Sequence, residues 1–459
     1  MTLETFTHIY FVGAGGIGMA ALERYFLAKG KTVAGYDRTP TALTDALVAE
    51  GVEMTFSPES ESIPAGFRDA GHTPVVYTPA VPDDLPILTY FRNGGFEVMK
   101  RAKVLGLITR SSRSLCFAGT HGKTTTSSMA AHILRSGSIG CNAFLGGVLK
   151  NYNSNFILSP SSHYTVIEAD EYDRSFHHLS PYVAVITATD PDHLDIYGSE
   201  EAYLESFAHF TELIQPGGVL IIHEGLKLKP RVGNDVKVYT YSRDKGDFHA
   251  SYIRRDPGTI TFDLVTPRGT IRNVNLGVPV EVNIENAIAA AAAVCVTEAF
   301  EPEVIREALS SYQGTKRRFE TWLKERNGQG RVVIDDYAHH PRELSSSIAS
   351  VKALYPGRHL TVAFQPHLYS RTRDFAAEFA DALSSSDSVV LLDIYPAREE
   401  PIPGVTSEII FDNVKCDDKI LIPKEKLVET LKNRNFDILL TAGAGDICDC
   451  LPELIGSLG

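Results

Sequence analysis

Leu115-Cys116-Phe117-Ala118-Gly119-Thr120-His121-Gly122-Lys123-Thr124-Thr125-Thr126 sets a short apolar run against a glycine-bearing loop and the start of a helical stretch. An apolar run of that length suits a buried strand. Strand, loop and helix in this order form a phosphate loop. Its backbone N–H groups and the Lys123 ammonium face phosphates, and the Thr124 hydroxyl is placed for Mg²⁺. The full GxxxxGK[ST] pattern begins with Gly, where this chain has Phe117.

Downstream, two more apolar runs end in acids. Thr165-Val166-Ile167 leads into Glu168-Ala169-Asp170-Glu171-Tyr172-Asp173, and Val183-Ala184-Val185-Ile186-Thr187 leads into Asp190-Pro191-Asp192-His193. Carboxylates and an imidazole at the carboxyl ends of strands, beside a phosphate loop, are where a doubly wound sheet gathers metal and nucleotide. Upstream, HIYFV is followed by Gly13-Ala14-Gly15-Gly16-Ile17-Gly18, a helical stretch, a second strand and Asp37. This is a dinucleotide-type fingerprint in its proper context. The glycines let a diphosphate approach the helix N-terminus, and an acid some 20 residues on can take a ribose hydroxyl.

The same alternation continues through PVVYT, GGVLIIH, RVVIDDY, LTVAFQP and SVVLLDIYP, which predicts an α/β chain with mainly parallel sheets. With 459 residues and roughly 150 per domain, about three domains are expected, with boundaries near the polar segments 110–114 and 314–318. AIAAAAAVCV (287–296) predicts a closely packed buried helix. A formal net charge of -13 argues against a nucleic-acid or anionic-membrane partner, so anionic ligands need local sites. No basic, apolar leader opens the sequence and no run reaches the length of a membrane span, which points to the cytoplasm. The six scattered cysteines lack zinc spacing and are expected to be reduced.

The first loop alone would suit a nicotinamide dehydrogenase, but that reading leaves the GKT loop and His193 without a purpose. A non-catalytic nucleotide switch is the other alternative. Both loops together with AGTHGKTTT, EADEYDRSF, DPDHLDIYG, NIEN, GTKRRFE, DDYAHHP, FQPHLYSRTRDF and AGAGDI, in that order, resemble the Mur ligase family over essentially the whole chain. The family form of the loop does not require Gly at 117.

The resemblance implies three α/β domains. They are a Rossmann-like domain for the UDP-linked substrate (1–110), a central P-loop ATPase-type domain (111–314), and a Rossmann-like domain (315–459) that closes over ATP and binds the amino acid. It implies ligation of L-alanine to UDP-N-acetylmuramate with ATP and Mg²⁺, by a monomer or weak homodimer. ATP would be held by Gly119, Thr120, His121, Gly122, Lys123, Thr124 and Thr125, with Asn283 and Asn286 near adenine and Asp336 on ribose. Thr124, Glu168 and His193 would ligate metal, and Lys123, Glu168, His193 and Arg318 would serve catalysis. Gly13, Gly15, Gly16 and Gly18, with Asp37 nearby, would take the UDP moiety. Tyr337, His339, His367 and Arg371 would surround alanine. Val282 stands where the family usually has His, Leu368 where it often has Arg, and EADEYD where EADESD is commoner. AYLESFAHF lacks the lysine that several members carbamylate.

Overall fold

The computed structural model describes residues 5–78, 80–159, 161–191, 194–256, 258–324, 330–397, 399–434 and 436–458. The apolar runs become strands because each is buried on both faces, as parallel strands covered by helices must be. His8–Val12 lies at the centre of a five-stranded parallel sheet, between Thr32–Tyr36 and Val75–Tyr77, with Glu53–Thr55 and Val98–Lys100 at the edges. A second sheet of seven strands runs in the order Lys237–Tyr241, Val219–His223, Val183–Ile186, Arg113–Ala118, Tyr164–Glu168, Asn142–Leu149, Ser154–Ile157. All of its pairings are parallel except the last, an antiparallel hairpin at one edge.

A third sheet orders Glu320–Leu323, Val332–Asp336, Ile438–Ala442, Leu360–Phe364, Ser388–Leu392 and Lys419–Ile422, with only the first strand antiparallel. A small sheet of His249–Asp256, Thr259–Thr266 and Gly269–Asn275 was not legible in the alternation.

The chain divides into two compact units. One comprises 1–252, 262–274 and 285–312, and the other comprises 253–261, 275–284 and 313–459. The first two sheets lie in the same unit because they share a core. Helix Ile17–Ala28 brings Tyr25 to Phe144 of the seven-stranded sheet, ring centroids 5.5 Å apart, and Asn155 Nδ2 donates to the Ile17 carbonyl at 2.9 Å. In the Ala-rich helix Val282–Cys295, every residue from Ala287 to Ala293 is fully buried. The six cysteines are free thiols, four of them buried. Among the described residues no helix is long and apolar enough to cross a membrane.

Candidate active site

In the seven-stranded sheet, Arg113–Ala118 has Tyr164–Glu168 on one side and Val183–Ile186 on the other. The chain first builds outward on one side of Arg113–Ala118 and then crosses to the other. The carboxyl end of that strand is therefore a topological switch point, where α/β sheets open a ligand crevice. The loop 119–122 leaves from this point. Gly119 has φ +138°, and a Cβ there would lie 2.7 Å from the Ala188 backbone nitrogen, so only glycine fits. Thr187 Oγ1 donates to the His121 carbonyl at 2.5 Å, and Thr120 Oγ1 donates to the Asp190 carbonyl at 2.7 Å. The loop is thus pinned to the neighbouring strand end before any phosphate arrives. Helix Lys123–Ser136 follows, with Gly122 as its N-cap, no side-chain cap and no acid in the first turn. Its free amides face the crevice, as an anion site requires.

Four side chains converge on this loop. Thr124 Oγ1 donates to Glu168 Oε1 at 2.9 Å, and the other Glu168 oxygen accepts the Gly146 amide at 2.9 Å. A Cβ on Gly146 would fall 2.3 Å from that oxygen, so Gly146 makes room for the carboxylate. A hydroxyl beside a carboxylate is the hard-oxygen donor set that Mg²⁺ takes alongside phosphates, so these residues fit the metal. Lys123 Nζ donates to the Gly119 carbonyl at 2.7 Å and to Glu171 Oε1 at 2.8 Å. Burial opposes charge on Lys123, but Glu171 and Glu168 outweigh it and leave its pKa above the usual lysine value. Glu171 is 1% exposed, and its Oε2 has no partner among the described residues. Sequence reasoning had placed Glu171 only in an acidic cluster. His193 lies outside the described residues.

Asn286, from the Ala-rich helix, reaches the same loop. Its Oδ1 accepts from Thr126 Oγ1 at 3.2 Å and lies 2.8 Å from where a Gly122 Cβ would stand. Asn283, one turn earlier, donates instead to the Val278 carbonyl at 3.1 Å. His177 is structural: it stacks on Phe176 and bonds to Ser206.

At the first loop, the Gly13 and Ala14 amides bond to the Tyr36 carbonyl, and the Gly15 amide donates to Asp37 Oδ2 at 2.7 Å. Asp37 thus braces the loop itself, and its other oxygen accepts the Thr39 amide at 3.2 Å. Gly16 caps helix Ile17–Ala28 without a side-chain cap. Gly18 lies against the Arg101 guanidinium, a neighbour that the fingerprint does not announce.

In the second unit, Tyr337, His339, His367 and Arg371 come together. The Tyr337 and His339 rings are 5.3 Å apart, those of His339 and His367 6.3 Å apart, and Arg371 acts electrostatically on both histidines. His339 Nδ1 bonds to the Tyr337 carbonyl at 2.9 Å. Burial, reinforced by His339 and Arg371, pushes His367 down to about 4, so its ring stays neutral. Sequence reasoning missed Tyr395, which stacks on His367 at 5.7 Å, and Glu399, which accepts from Ser370 and attracts Arg371. Leu368, at the start of the helix that carries Arg371, has φ +72° and ψ 136°, a strained backbone for a branched residue. Asp336 accepts the Phe319 amide at 3.1 Å on one oxygen and the Ser347 hydroxyl on the other, each oxygen retaining a lone pair. Arg317 and Arg318 both lie over the Tyr337 ring, at 4.9 and 5.0 Å. Arg317 is also bonded to the Gly443 and Gly445 carbonyls, whereas the Arg318 side chain makes no hydrogen bond among the described residues.

Three family models match the chain: "Mur ligase family, catalytic domain" over residues 8–113, "Mur ligase middle domain" over 117–294, and "Mur ligase, glutamate ligase domain" over 317–445. The UDP-N-acetylmuramate–L-alanine ligase of Phocaeicola vulgatus is 54% identical over 459 residues, covering 100% of this chain and 99% of that protein. The enzyme of the same name from Parabacteroides distasonis is 56% identical over 97% of this chain and 96% of its own. Among solved structures, the UDP-N-acetylmuramate–alanine ligase of Thermotoga maritima superimposes with a TM-score of 0.80 at 25% identity, over 98% of both chains. A murein peptide ligase from Psychrobacter arcticus shares the fold, with a TM-score of 0.67. The chain belongs to the Mur ligase family, in the branch of the UDP-N-acetylmuramate–L-alanine ligases.

Proposed function

We infer that this enzyme joins L-alanine to the carboxylate of UDP-N-acetylmuramate, using ATP, in the cytoplasmic synthesis of peptidoglycan precursors. The observation that carries this reading is the phosphate loop with Lys123, Thr124 and Glu168 assembled at one strand end, in a chain 54% identical end to end to a protein named for that reaction.

A carboxylate is a poor electrophile, so it must be activated before an amine can attack. The muramoyl carboxylate attacks the γ-phosphate of ATP, ADP leaves, and an acyl phosphate results. The alanine amine then attacks the acyl carbon and phosphate departs. Lys123 exchanges Glu171 for the phosphates, and the uncapped amides at the start of helix Lys123–Ser136 share the charge. Thr124 and Glu168, with His193 as the family resemblance implies, would hold Mg²⁺, which would neutralise phosphate charge. Arg371 is suited to pair with the alanine carboxylate, Arg318 with phosphate oxygens and Asp336 with ribose, while His339, His367 and Tyr337 would bound the space for the methyl group. Asn286 and Asn283 serve the adenine side. Gly13, Gly15, Gly16 and Gly18 receive the UDP moiety, with Asp37 holding the loop in shape.

Phosphate release from ATP in the presence of Mg²⁺ is expected to require UDP-N-acetylmuramate and L-alanine together. Lys123→Ala should abolish that release while leaving UDP-N-acetylmuramate binding nearly intact by calorimetry. Release that ignores L-alanine would sink the assignment of the amino acid, and loss of UDP-N-acetylmuramate binding in a folded Lys123→Ala would mean the two phosphate sites are interchanged.

A further inference from the structure

Arg101 opens helix Arg101–Arg110, and its guanidinium lies against the bare α-carbon of Gly18. A Cβ on Gly18 would stand 2.9 Å from Arg101 Nη1 and 3.2 Å from Cζ, so the third glycine of the fingerprint is the space this cation occupies. Among the described residues no hydrogen bond or ion pair reaches the guanidinium. Burial disfavours its charge, and Asp170 and Glu168 compensate only through space. Neither acid closes on it, and both are engaged elsewhere. Asp170 accepts the amide of Tyr172 at 3.1 Å, and Glu168 is bonded to Thr124 and Gly146. The neighbouring Lys100, by contrast, does find a partner in Asp173 at 3.2 Å.

A guanidinium carries five N–H donors and no acceptor, and this one is half-buried with no protein partner among the described residues, so its donors are open to an anion. Beside it, helix Ile17–Ala28 begins with no side-chain cap and no acidic residue in its first turn, so the helix dipole adds to the same positive field. We propose that Arg101 binds an anionic group of the UDP-linked substrate, its diphosphate or its muramoyl carboxylate, on the side of the first phosphate loop nearer Glu168. This rests on the function proposed above, and it gives Gly18 a purpose that the fingerprint alone does not supply.

Calorimetric titration of the full chain with UDP, UDP-N-acetylglucosamine, UDP-N-acetylmuramate and ATP tests it. Arg101→Met should weaken binding of the anion it holds about 10- to 100-fold, the scale of lost charged hydrogen bonds, with ATP affinity unchanged. Arg101→Lys, which keeps the charge but not the planar fork, should lose less. Gly18→Ala, whose methyl displaces the guanidinium without removing it, should shift affinity in the same direction and guards against a folding defect in the Met variant. Equal losses for all three uridine ligands would identify the diphosphate, and a loss confined to UDP-N-acetylmuramate would identify the carboxylate. Unchanged affinity for all three in both folded variants overturns the proposal, as does a parallel loss for ATP. A wild-type chain that fails to bind UDP-N-acetylmuramate would instead overturn the function on which it rests.

Discussion

The Lys123 ammonium sits 2.8 Å from Glu171 Oε1, so the lysine of the phosphate loop is paired within its own protein when no phosphate is present. Both groups are removed from water, the carboxylate almost completely. Deleting one member of such a pair leaves the other buried and uncompensated, a loss on the scale of about 3 to 5 kcal/mol.

Glu171→Ala should therefore lower the thermal midpoint of the nucleotide-free protein by several degrees. ATP supplies the missing negative charge to Lys123, so it should raise the midpoint more in the variant than in the wild type. Differential scanning calorimetry with and without ATP reads this directly. Equal ATP-induced shifts in the two proteins would show that Glu171 does not compete with phosphate for the lysine.

Gly146 gives a way to move Glu168 without deleting it. A methyl at 146 collides with Glu168 Oε2 and also disturbs the amide that holds it. Gly146→Ala should raise the Mg²⁺ concentration for half-maximal turnover by about 10-fold or more, the usual cost of disturbing a ligand's support. An Mg²⁺ titration of initial rates that superimposes on wild type would remove Glu168 from the metal.

The Arg371 side chain makes no hydrogen bond among the described residues and adjoins His339 and His367. An ammonium cannot reproduce the two parallel bonds a guanidinium offers a carboxylate, so Arg371→Lys should raise the KM for L-alanine at least about 10-fold and leave that for ATP near normal. Glycine should remain a weak substrate, since a methyl group contributes only about 1 to 3 kcal/mol of discrimination. A raised ATP KM with an unchanged alanine KM would reassign Arg371 to the nucleotide.

Burial lowers both His132 and His367 from 6.5 to about 4. In the unfolded chain these rings take up protons as pH falls through about 6.5, whereas in the folded protein they do so only near 4. The unfolded state therefore binds more protons between those values, and stability must fall as pH drops across that window, by up to about 1.4 kcal/mol per pH unit for each ring. A His132→Gln, His367→Gln variant should show a flatter decline of thermal midpoint from pH 6.5 to 4 than the wild type. Parallel declines would mean that the rings titrate normally in the folded protein.

The sheets and both phosphate loops were legible because each depends on neighbours in sequence. Runs such as Val332-Val333-Ile334 and Leu360–Phe364 are largely apolar because both faces are covered, and the loops need glycines, Lys123 and Thr124 at fixed short spacings. The strands Asn142–Leu149, His249–Asp256 and Gly269–Asn275 were missed because they mix buried and exposed positions without a clean period, whereas Thr259–Thr266 alternates with period two and carried a signal that was passed over.

The sequence by itself determined the α/β architecture, the order of the motifs, the family, and the residue types able to meet phosphate, metal and amino acid. All of these are written in local spacing and composition. Only the tertiary structure decided which of those groups are already engaged and which stand open. It set Asp37 to bracing Gly15, Glu171 to holding Lys123, Arg317 to the Gly443 and Gly445 carbonyls, and Arg101 against Gly18 with no partner among the described residues. Each of these relationships joins residues from different elements, whose distance is set by the packing of strands and helices rather than by their separation along the chain.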